Sequence, residues 1–265
     1  MKVALIPLDI VEANVKQNLE NVANLCQQVD KDCDILVLPE LFSTAFPIDM
    51  DLFRSLGEPM NGPTMTTLRQ LAIRNNFAIA GSFLCRDSVD NTLRNRAFFI
   101  NPDDGGNIAY YDKRHLFTLS PEHTVLTAGK QLSPIIHYRG WNIALSVCFD
   151  MRFPVWCRNI DNRYDMMIVP ANWPDTRSNA WKSLLTARAI ENIAYYVGCN
   201  RSGIDKFGIY SYLTSIAIDF LGKFAVRPHG STIVRYATFS LEQLNEFRQK
   251  FPVFKAADKF IIEDL

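Results

Sequence analysis

Short apolar runs bounded by turn residues alternate along this chain with longer stretches of helical period, a pattern typical of an α/β protein. In the first long stretch, Val15, Leu19, Val22 and Cys26 recur at three- and four-residue steps and form one amphipathic stripe. The periodic stretches predict helices at 14–29, 63–76, 153–160, 177–192 and 240–250. The apolar runs predict strands at 2–8, 34–39, 77–83, 96–101, 107–111, 141–147, 165–170, 194–199, 213–219 and 223–227.

The two halves of the chain repeat one order of elements. DILVLPE (34–40) and DMMIVPAN (165–172) each carry an apolar run between an Asp and a Pro, followed by a loop, a helix and a strand. A hairpin comes later in each half, as AFFINPDDGGNIAYYDK and as SIAIDFLGKFAVRP. One half alone would leave a sheet face bare, so the two sheets are expected to stack with helices outside. We therefore expect a single domain over 1–265 with internal pseudo-symmetry. An extension at about 251–265 is expected to pack on the surface or on a partner chain.

Composition and charge narrow the function classes. The 265 residues carry 28 Lys+Arg against 28 Asp+Glu, a net charge of zero, which argues against a nucleic-acid binder that neutralises phosphates. No apolar stretch approaches the ~20 residues of a membrane span. The start, MKVALIPLDI, has the pattern of a first strand rather than of a signal peptide. These features predict a cytoplasmic protein without membrane or nucleic-acid partners.

Metal and cofactor chemistry finds little support in the sequence. The six cysteines form no C-x-x-C pair, and no G-x-G-x-x-G follows the first strand, which argues against zinc ribbons, thioredoxin-type sites and a nicotinamide fold. The histidines have no metal-ligand spacing; they are His115, His123, His137 and His229. The prediction is an enzyme or binding protein with no metal and no cofactor.

Three residues with reactive side chains come at or just after the ends of predicted strands, namely Glu40, Lys113 and Cys148. Each alone has an ordinary structural interpretation, as a solvated charge or a core cysteine. Together they meet the needs of thiol-based acyl transfer, because a thiol requires a base and the developing oxyanion requires a positive charge. A Cys-His protease or acyltransferase, with His115 or His123 as base, stays open from the residues alone.

The stretches around these residues resemble the nitrilase superfamily of carbon–nitrogen hydrolases. The matching motifs are VLPELF, YYDKRHLF and VCFDMRFPVW, and the resemblance continues through VPANWP, LLTARAIEN and GCNRSGID. It implies a four-layer α-β-β-α sandwich with pseudo-two-fold symmetry, commonly dimerised. It also implies Cys148 as nucleophile, Glu40 as general base and acid, and Lys113 as oxyanion stabiliser. The Phe149 N–H would be the second oxyanion donor, and Glu122 a glutamate that positions Lys113 or the substrate.

Further motifs, including KRHLF, RGW, ANWP and EFRQKFP, look closest to bacterial omega-amidases. The resemblance implies release of ammonia from the terminal amide of small 2-oxo acid monoamides such as 2-oxoglutaramate and 2-oxosuccinamate, with water as co-substrate. Arg152 is a candidate to bind a substrate carboxylate through its two-pronged guanidinium, and Trp173 to form an apolar wall. Phe149 and Ala180 depart from relatives that often carry Tyr and His there, which leaves the substrate open.

Rival functions remain at this point. The same residues would serve another amidase of the superfamily, a carbamoylase, a nitrilase proper or a deaminated-glutathione amidase. A catalytically idle protein that dimerises through its sandwich is a further alternative. A homodimer or higher homo-oligomer is expected in each case from the resemblance.

Overall fold

A computed structural model describes residues 1–47, 49–228 and 233–263. Its larger sheet has seven strands in the order β13-β14-β1-β2-β3-β4-β5. Strands β1, β2 and β3 run parallel, and the others pair antiparallel with their neighbours. These strands are β1 (Lys2–Leu5), β2 (Ile35–Val37), β3 (Ala78–Arg86), β4 (Leu93–Asn101), β5 (Asn107–Asp112), β13 (Arg227–Pro228) and β14 (Arg235–Thr238).

The smaller sheet has five strands in the order β12-β9-β8-β7-β6. Its strands are β6 (Ile136–Tyr138), β7 (Trp141–Leu145), β8 (Met166–Ala171), β9 (Tyr195–Asn200) and β12 (Ile216–Ile218). A separate hairpin joins β10 (Gly203–Asp205) to β11 (Gly208–Tyr210). The helices are α1 (Val15–Cys26), α2 (Met50–Ser55), α3 (Pro63–Asn75), α4 (Glu122–Val125), α5 (Ser178–Asn192) and α6 (Leu241–Lys250). None of the helices in these ranges is long and apolar enough to cross a membrane.

Alternating side chains explain the layering. In β1, Val3 and Leu5 enter the core between the two sheets, whereas Ala4 and Ile6 of the same segment face α1 and α3. Helix α5, with the buried Trp181, packs against β9 and β12 on the other face of the smaller sheet. Because both faces of the central strands are buried, these strands are almost continuously apolar. The result is the predicted α-β-β-α sandwich.

The predicted repeat corresponds to the sheet topology. DILVLPE contains β2 and DMMIVPAN contains β8, and each is the central strand of three parallel strands. Helix α3 connects β2 to β3, and α5 connects β8 to β9 in the same way. Both strands end where loops of the two halves meet, which brings Glu40 close to Asn172.

Two predicted elements are wrong. Residues 153–160 form turns instead of a helix, because Trp156 is drawn inward to donate to the Tyr111 hydroxyl (2.8 Å). The Asn159 N–H is satisfied by the Asn192 side chain (2.9 Å) instead of by a helical carbonyl. The strand at 223–227 shrinks to one bridge at Phe224, after which the chain crosses to the larger sheet as β13.

The remaining predicted strands and helices exist with shifted ends, and the sequence missed β6, β10, β11, β14, α2 and α4. The C-terminal extension turns at Val253–Ala256, and Ile262 packs against the buried apolar cluster that includes Trp156. Its last two residues, 264–265, lie outside the described residues, as does His229.

Candidate active site

Three buried charged side chains form the floor of the candidate site. The Lys113 Nζ lies 2.8 Å from Glu40 Oε1 and 2.8 Å from Glu122 Oε1. These side chains are at most 6% exposed, so water and salt screen their ion pairs only weakly. One ammonium between two carboxylates leaves the cluster with an excess negative charge. The Cys148 thiol faces this cluster and interacts with the Glu40 carboxylate.

The backbone holds Lys113 and Glu122 in register with each other. Lys113 directly follows β5; its N–H donates to the Asn95 carbonyl (3.0 Å), and its own carbonyl accepts from the Gly129 N–H (2.9 Å). Glu122 opens the single turn of α4, and its Oε2 accepts from the Phe117 N–H (2.7 Å). The ammonium and its second carboxylate therefore belong to one loop that is fixed at both ends.

The Glu40 carboxylate is held through both of its oxygens. Asn95 Nδ2 donates to Oε1 (2.8 Å), while Asn95 Oδ1 accepts from the Ser82 hydroxyl (2.9 Å). The Asn172 N–H donates to Oε2 (2.8 Å) from the end of β8 in the other sheet. These contacts hold the Glu40 carboxylate in place near the Cys148 thiol, as a proton acceptor requires.

Cys148 sits at a sharp turn three residues beyond β7. Its φ of +44° lies in the left-handed region, which costs a non-glycine residue strain that the surroundings must support. Asp150, fully buried, supplies that support by accepting from the Val147 N–H (3.1 Å), the Tyr111 hydroxyl (2.8 Å) and the His115 N–H (2.9 Å). The turn that aims the thiol is thus tied to the strand and loop that carry Lys113.

Burial and neighbouring charges raise the pKa of both central groups, the Lys113 ammonium and the Cys148 thiol. Burial opposes the charged form of Lys113, but the charges of Glu122 and Glu40 outweigh it and raise the pKa of this ammonium well above its ordinary value. Burial raises the pKa of the Cys148 thiol well above its ordinary value; Glu40 adds to the rise and Lys113 opposes it. The lysine is therefore charged at rest and the thiol protonated, so the thiol must lose its proton to a base when it attacks.

One cavity of about 590 Å³ contains all the candidate residues, a volume within the usual range for small-molecule sites. The backbone N–H of Phe149 has no hydrogen-bond acceptor within the described ranges, as an oxyanion donor requires. No group of three metal-ligating side chains was found among the residues that the structure describes. The seven predicted residues that line the cavity are Glu40, Lys113, Glu122, Cys148, Phe149, Arg152 and Trp173.

Two arginines at the mouth of this cavity lie against aromatic rings. The Arg152 guanidinium lies 5.0 Å from the centre of the Trp173 ring and 5.9 Å from that of Phe149. The Arg177 guanidinium lies 5.3 Å from the centre of the Phe117 ring. Stacking of this kind orients a guanidinium without consuming its N–H donors. Both arginines are exposed in this open mouth.

The β10–β11 hairpin forms another wall of the cavity. Asp205 lines it, but its Oδ2 is taken by the Arg201 guanidinium (2.7 Å) and its Oδ1 accepts from the Phe207 N–H (2.8 Å). Tyr210 and Phe207 add aromatic surface. The hairpin therefore contributes shape and apolar area, with its carboxylate already neutralised.

Sequence reasoning missed the residues that hold the reactive groups. Asn95 lies within β4, LRNRAFFIN, and Asp150 lies within the motif VCFDMRFPVW, two residues after the cysteine. Their role depends on contacts between distant segments, which no local pattern reports. The contribution of Asn172 comes from its main chain, so its side-chain type carries no signal. Arg177 had a weak signal, a cation close to Trp173 in the motif ANWPDTR.

Comparison with known proteins agrees with the fold and with an amidase activity. The carbon-nitrogen hydrolase family model matches residues 2–249. The omega-amidase YafV of Yersinia enterocolitica is 37% identical over 99% of this chain and 98% of its own length. The 2-oxoglutaramate amidase of Bacillus subtilis (strain 168) is 29% identical over 95% of each chain.

A solved structure extends this agreement to three dimensions. XC1258 from Xanthomonas campestris, a CN-hydrolase superfamily protein with an arsenic adduct in its active site, has a TM-score of 0.89 and 33% identity to this chain. The match covers 99% of this chain and 98% of that one. The chain therefore belongs to the carbon–nitrogen hydrolase family, as an enzyme of its amidase type.

Proposed function

We propose that this enzyme hydrolyses the terminal amide of small 2-oxo acid monoamides, such as 2-oxoglutaramate and 2-oxosuccinamate, through a thioester on Cys148. The observation that carries the proposal is the buried Lys113, shared at 2.8 Å by Glu40 and Glu122 beside the thiol. Such a cluster supplies a base and a fixed positive charge at one point, which amide attack by a thiol requires. The names of the two enzymes compared above support the choice of substrate.

The first half of the reaction forms the thioester. Glu40 takes the thiol proton as the Cys148 sulfur bonds to the amide carbon, and the carbonyl oxygen becomes an oxyanion. Lys113 donates two of its three N–H groups to Glu40 and Glu122. The third can donate to the oxyanion, and the Phe149 N–H is the second donor to it. Glu40 then gives its proton to the amide nitrogen, the carbon–nitrogen bond breaks, and ammonia leaves.

The second half returns the enzyme to its starting state. A water molecule loses a proton to Glu40 as its oxygen bonds to the thioester carbon, and the same two donors stabilise the second oxyanion. The carbon–sulfur bond then breaks, and Glu40 returns its proton to the departing sulfur. The acid product and the Cys148 thiol are released, so one water is consumed for each ammonia.

Charge distribution supports the direction in which such a substrate binds. The floor cluster of Glu40, Lys113 and Glu122 is negative by one charge, whereas the mouth carries Arg152. A monoamide with one carboxylate therefore binds with its neutral amide at the floor and its anionic end at the mouth. This orientation brings the amide distant from the carboxylate to Cys148, which is the terminal amide of the proposed substrates.

Ammonia release from 2-oxoglutaramate by the purified enzyme tests the proposal. We expect steady release by wild type and none by Cys148→Ala. Hydroxylamine converts the acyl group of a thioester into a hydroxamate. Formation of this hydroxamate from the substrate is expected to require the same cysteine. Ammonia release from a different amide only would mean that the proposed substrate is wrong. A folded protein that releases ammonia from no amide would favour the alternative of a catalytically idle interaction protein.

The role of Arg152 has a test of its own. Arg152→Met is expected to raise KM for an anionic monoamide about tenfold, the order expected for a charge-assisted hydrogen bond, and to leave the kinetics on a neutral amide of equal length unchanged. Equal losses on both amides would contradict carboxylate binding by Arg152.

Other expectations from the sequence remain part of this proposal. We propose one folding unit over 1–265, a homodimer or higher homo-oligomer, and a cytoplasmic location. Exposed apolar side chains near the end of α5, Ile190, Leu221 and Phe224, support association. Sedimentation at several concentrations distinguishes a dimer from a monomer directly.

A further inference from the structure

The cavity contains two guanidiniums without a partner. Arg152 and Arg177 both line it, and within the described residues neither guanidinium takes part in a hydrogen bond or an ion pair, although each lies over an aromatic ring. Arg201, close to the same cavity, is by contrast saturated by Asp205 and by main-chain carbonyls. The N–H donors of both guanidiniums at the mouth are therefore available to bind a ligand.

One aromatic wall holds both groups. The Phe117 and Phe149 rings meet edge to face at 5.1 Å, Arg177 lies over Phe117, and Arg152 lies near Phe149. Trp173, beneath Arg152, donates from Nε1 to the Arg177 carbonyl (2.9 Å). The guanidiniums are thus held on adjoining parts of one surface, which includes the ring of Phe149, the chain neighbour of Cys148.

Among the described residues that line the cavity, no carboxylate is ion-paired with either guanidinium at the mouth. Glu40 and Glu122 are shared by Lys113, and Asp205 is paired with Arg201. The mouth therefore carries two uncompensated positive charges. Two such groups fit a ligand end with several adjacent acceptor oxygens, because each guanidinium can donate two parallel N–H groups.

We propose that Arg177 is a second anion-binding residue, which together with Arg152 holds the carboxylate and neighbouring oxo group of the substrate and excludes substrates with an ammonium group there. This inference rests on the proposed function and extends it to a residue and to a discrimination. A 2-oxo acid presents oxygen acceptors on adjacent carbons, whereas the corresponding amino acid presents an ammonium, which two guanidiniums repel and no free carboxylate at the mouth receives.

The kinetic test compares three amides of equal length: 2-oxoglutaramate, glutamine and a neutral amide. Arg177→Met is expected to lower kcat/KM for 2-oxoglutaramate about tenfold, the order expected for a charge-assisted hydrogen bond at a partly exposed site. The neutral amide is expected to change less than about twofold, and the rate on glutamine relative to 2-oxoglutaramate is expected to rise. Arg177→Lys, which keeps the charge, is expected to recover part of the loss.

Arg74→Met is the matched control, because Arg74 is an exposed cation of α3 that does not line the cavity. It is expected to leave all three amides unchanged. Equal losses of Arg177→Met on the anionic and neutral amides, or no loss on either, would overturn the proposal.

Binding without turnover separates this inference from the proposed function. Calorimetry measures 2-oxoglutaramate binding to Cys148→Ala and to the same protein with Arg177→Met added. A Kd that weakens about tenfold supports the anion site, even if wild type were to release no ammonia from that compound. An unchanged Kd would overturn it, even if ammonia release were normal.

Discussion

Lys113→Ala is the most informative single change, because it removes the cation that two buried carboxylates share. Glu40 and Glu122 each lie 2.8 Å from the Nζ that is lost. Removing one partner of a buried ion pair costs about 3–5 kcal/mol of stability. Both carboxylates then stay buried without a cation between them, so the variant should melt below wild type.

A second variant separates the fold from the chemistry. Adding Glu122→Gln to Lys113→Ala replaces one of the two carboxylates by an uncharged group of nearly the same shape, so most of the lost stability should return. The oxyanion still lacks its ammonium, so kcat should stay about 10²–10³-fold below wild type. Lys16→Ala is the control for loss of a lysine, because the Lys16 side chain is 88% exposed.

Thermal unfolding followed by circular dichroism measures the stability, and initial rates of ammonia release measure kcat. If the double variant recovers kcat together with stability, Lys113 acts only by supporting the fold. If Lys113→Ala alone turns over within about threefold of wild type, the oxyanion role is wrong.

Three further changes test the surroundings of the site. Asn95→Leu removes the 2.8 Å donor to Glu40 and should lower the kcat of ammonia release about tenfold; a change under twofold would contradict its positioning role. Tyr111→Phe removes the 2.8 Å donor to the buried Asp150 and should lower the free energy of unfolding in urea by about 2–3 kcal/mol; a loss under about 0.5 kcal/mol would refute it. Iodoacetamide near neutral pH should alkylate Cys148 first, because this thiol lines the cavity beside the base Glu40, and no cysteine of Cys148→Ala should label rapidly; rapid labelling of a second cysteine would contradict this access argument. The other thiols do not line the cavity, and burial raises the pKa of Cys85 to about 11 and that of Cys26, Cys33, Cys157 and Cys199 to about 12, so these label only after unfolding.

The sequence was informative wherever a local pattern coincided with a structural element. Buried strands are short apolar runs, so β2 and β8 could be predicted, and with them the point where Glu40 emerges. The seven candidate residues line one cavity because strand ends of a stacked α/β fold converge. The roles assigned to these residues stay predictions until the variants are measured.

What could not be predicted depends on contacts between distant segments. The expected helix at 153–160 fails because Trp156 has a partner 45 positions earlier in the chain, the Tyr111 hydroxyl. Asn95 looks like any polar residue in a strand, and only the fold brings it to Glu40, 55 positions away. Strand β14 pairs with β1 from the opposite end of the chain, a pairing that no local periodicity reports.

The hydrogen bond from the Asn172 N–H to Glu40 crosses from one sheet to the other, and it divides the catalytic machinery between two parts of the chain. A fragment that ends before Ile136 would contain Glu40, Lys113 and Glu122, whereas the remainder would contain Cys148 and the Asn172 N–H. The remainder would also carry β14, whose place is beside β1 of the first fragment. Neither fragment contains all the groups proposed for catalysis. The rate of ammonia release from a mixture of the two would therefore measure how much of the protein has reassembled. The protein is thus a natural candidate for a split reporter, whose signal depends on the docking of one sheet against the other.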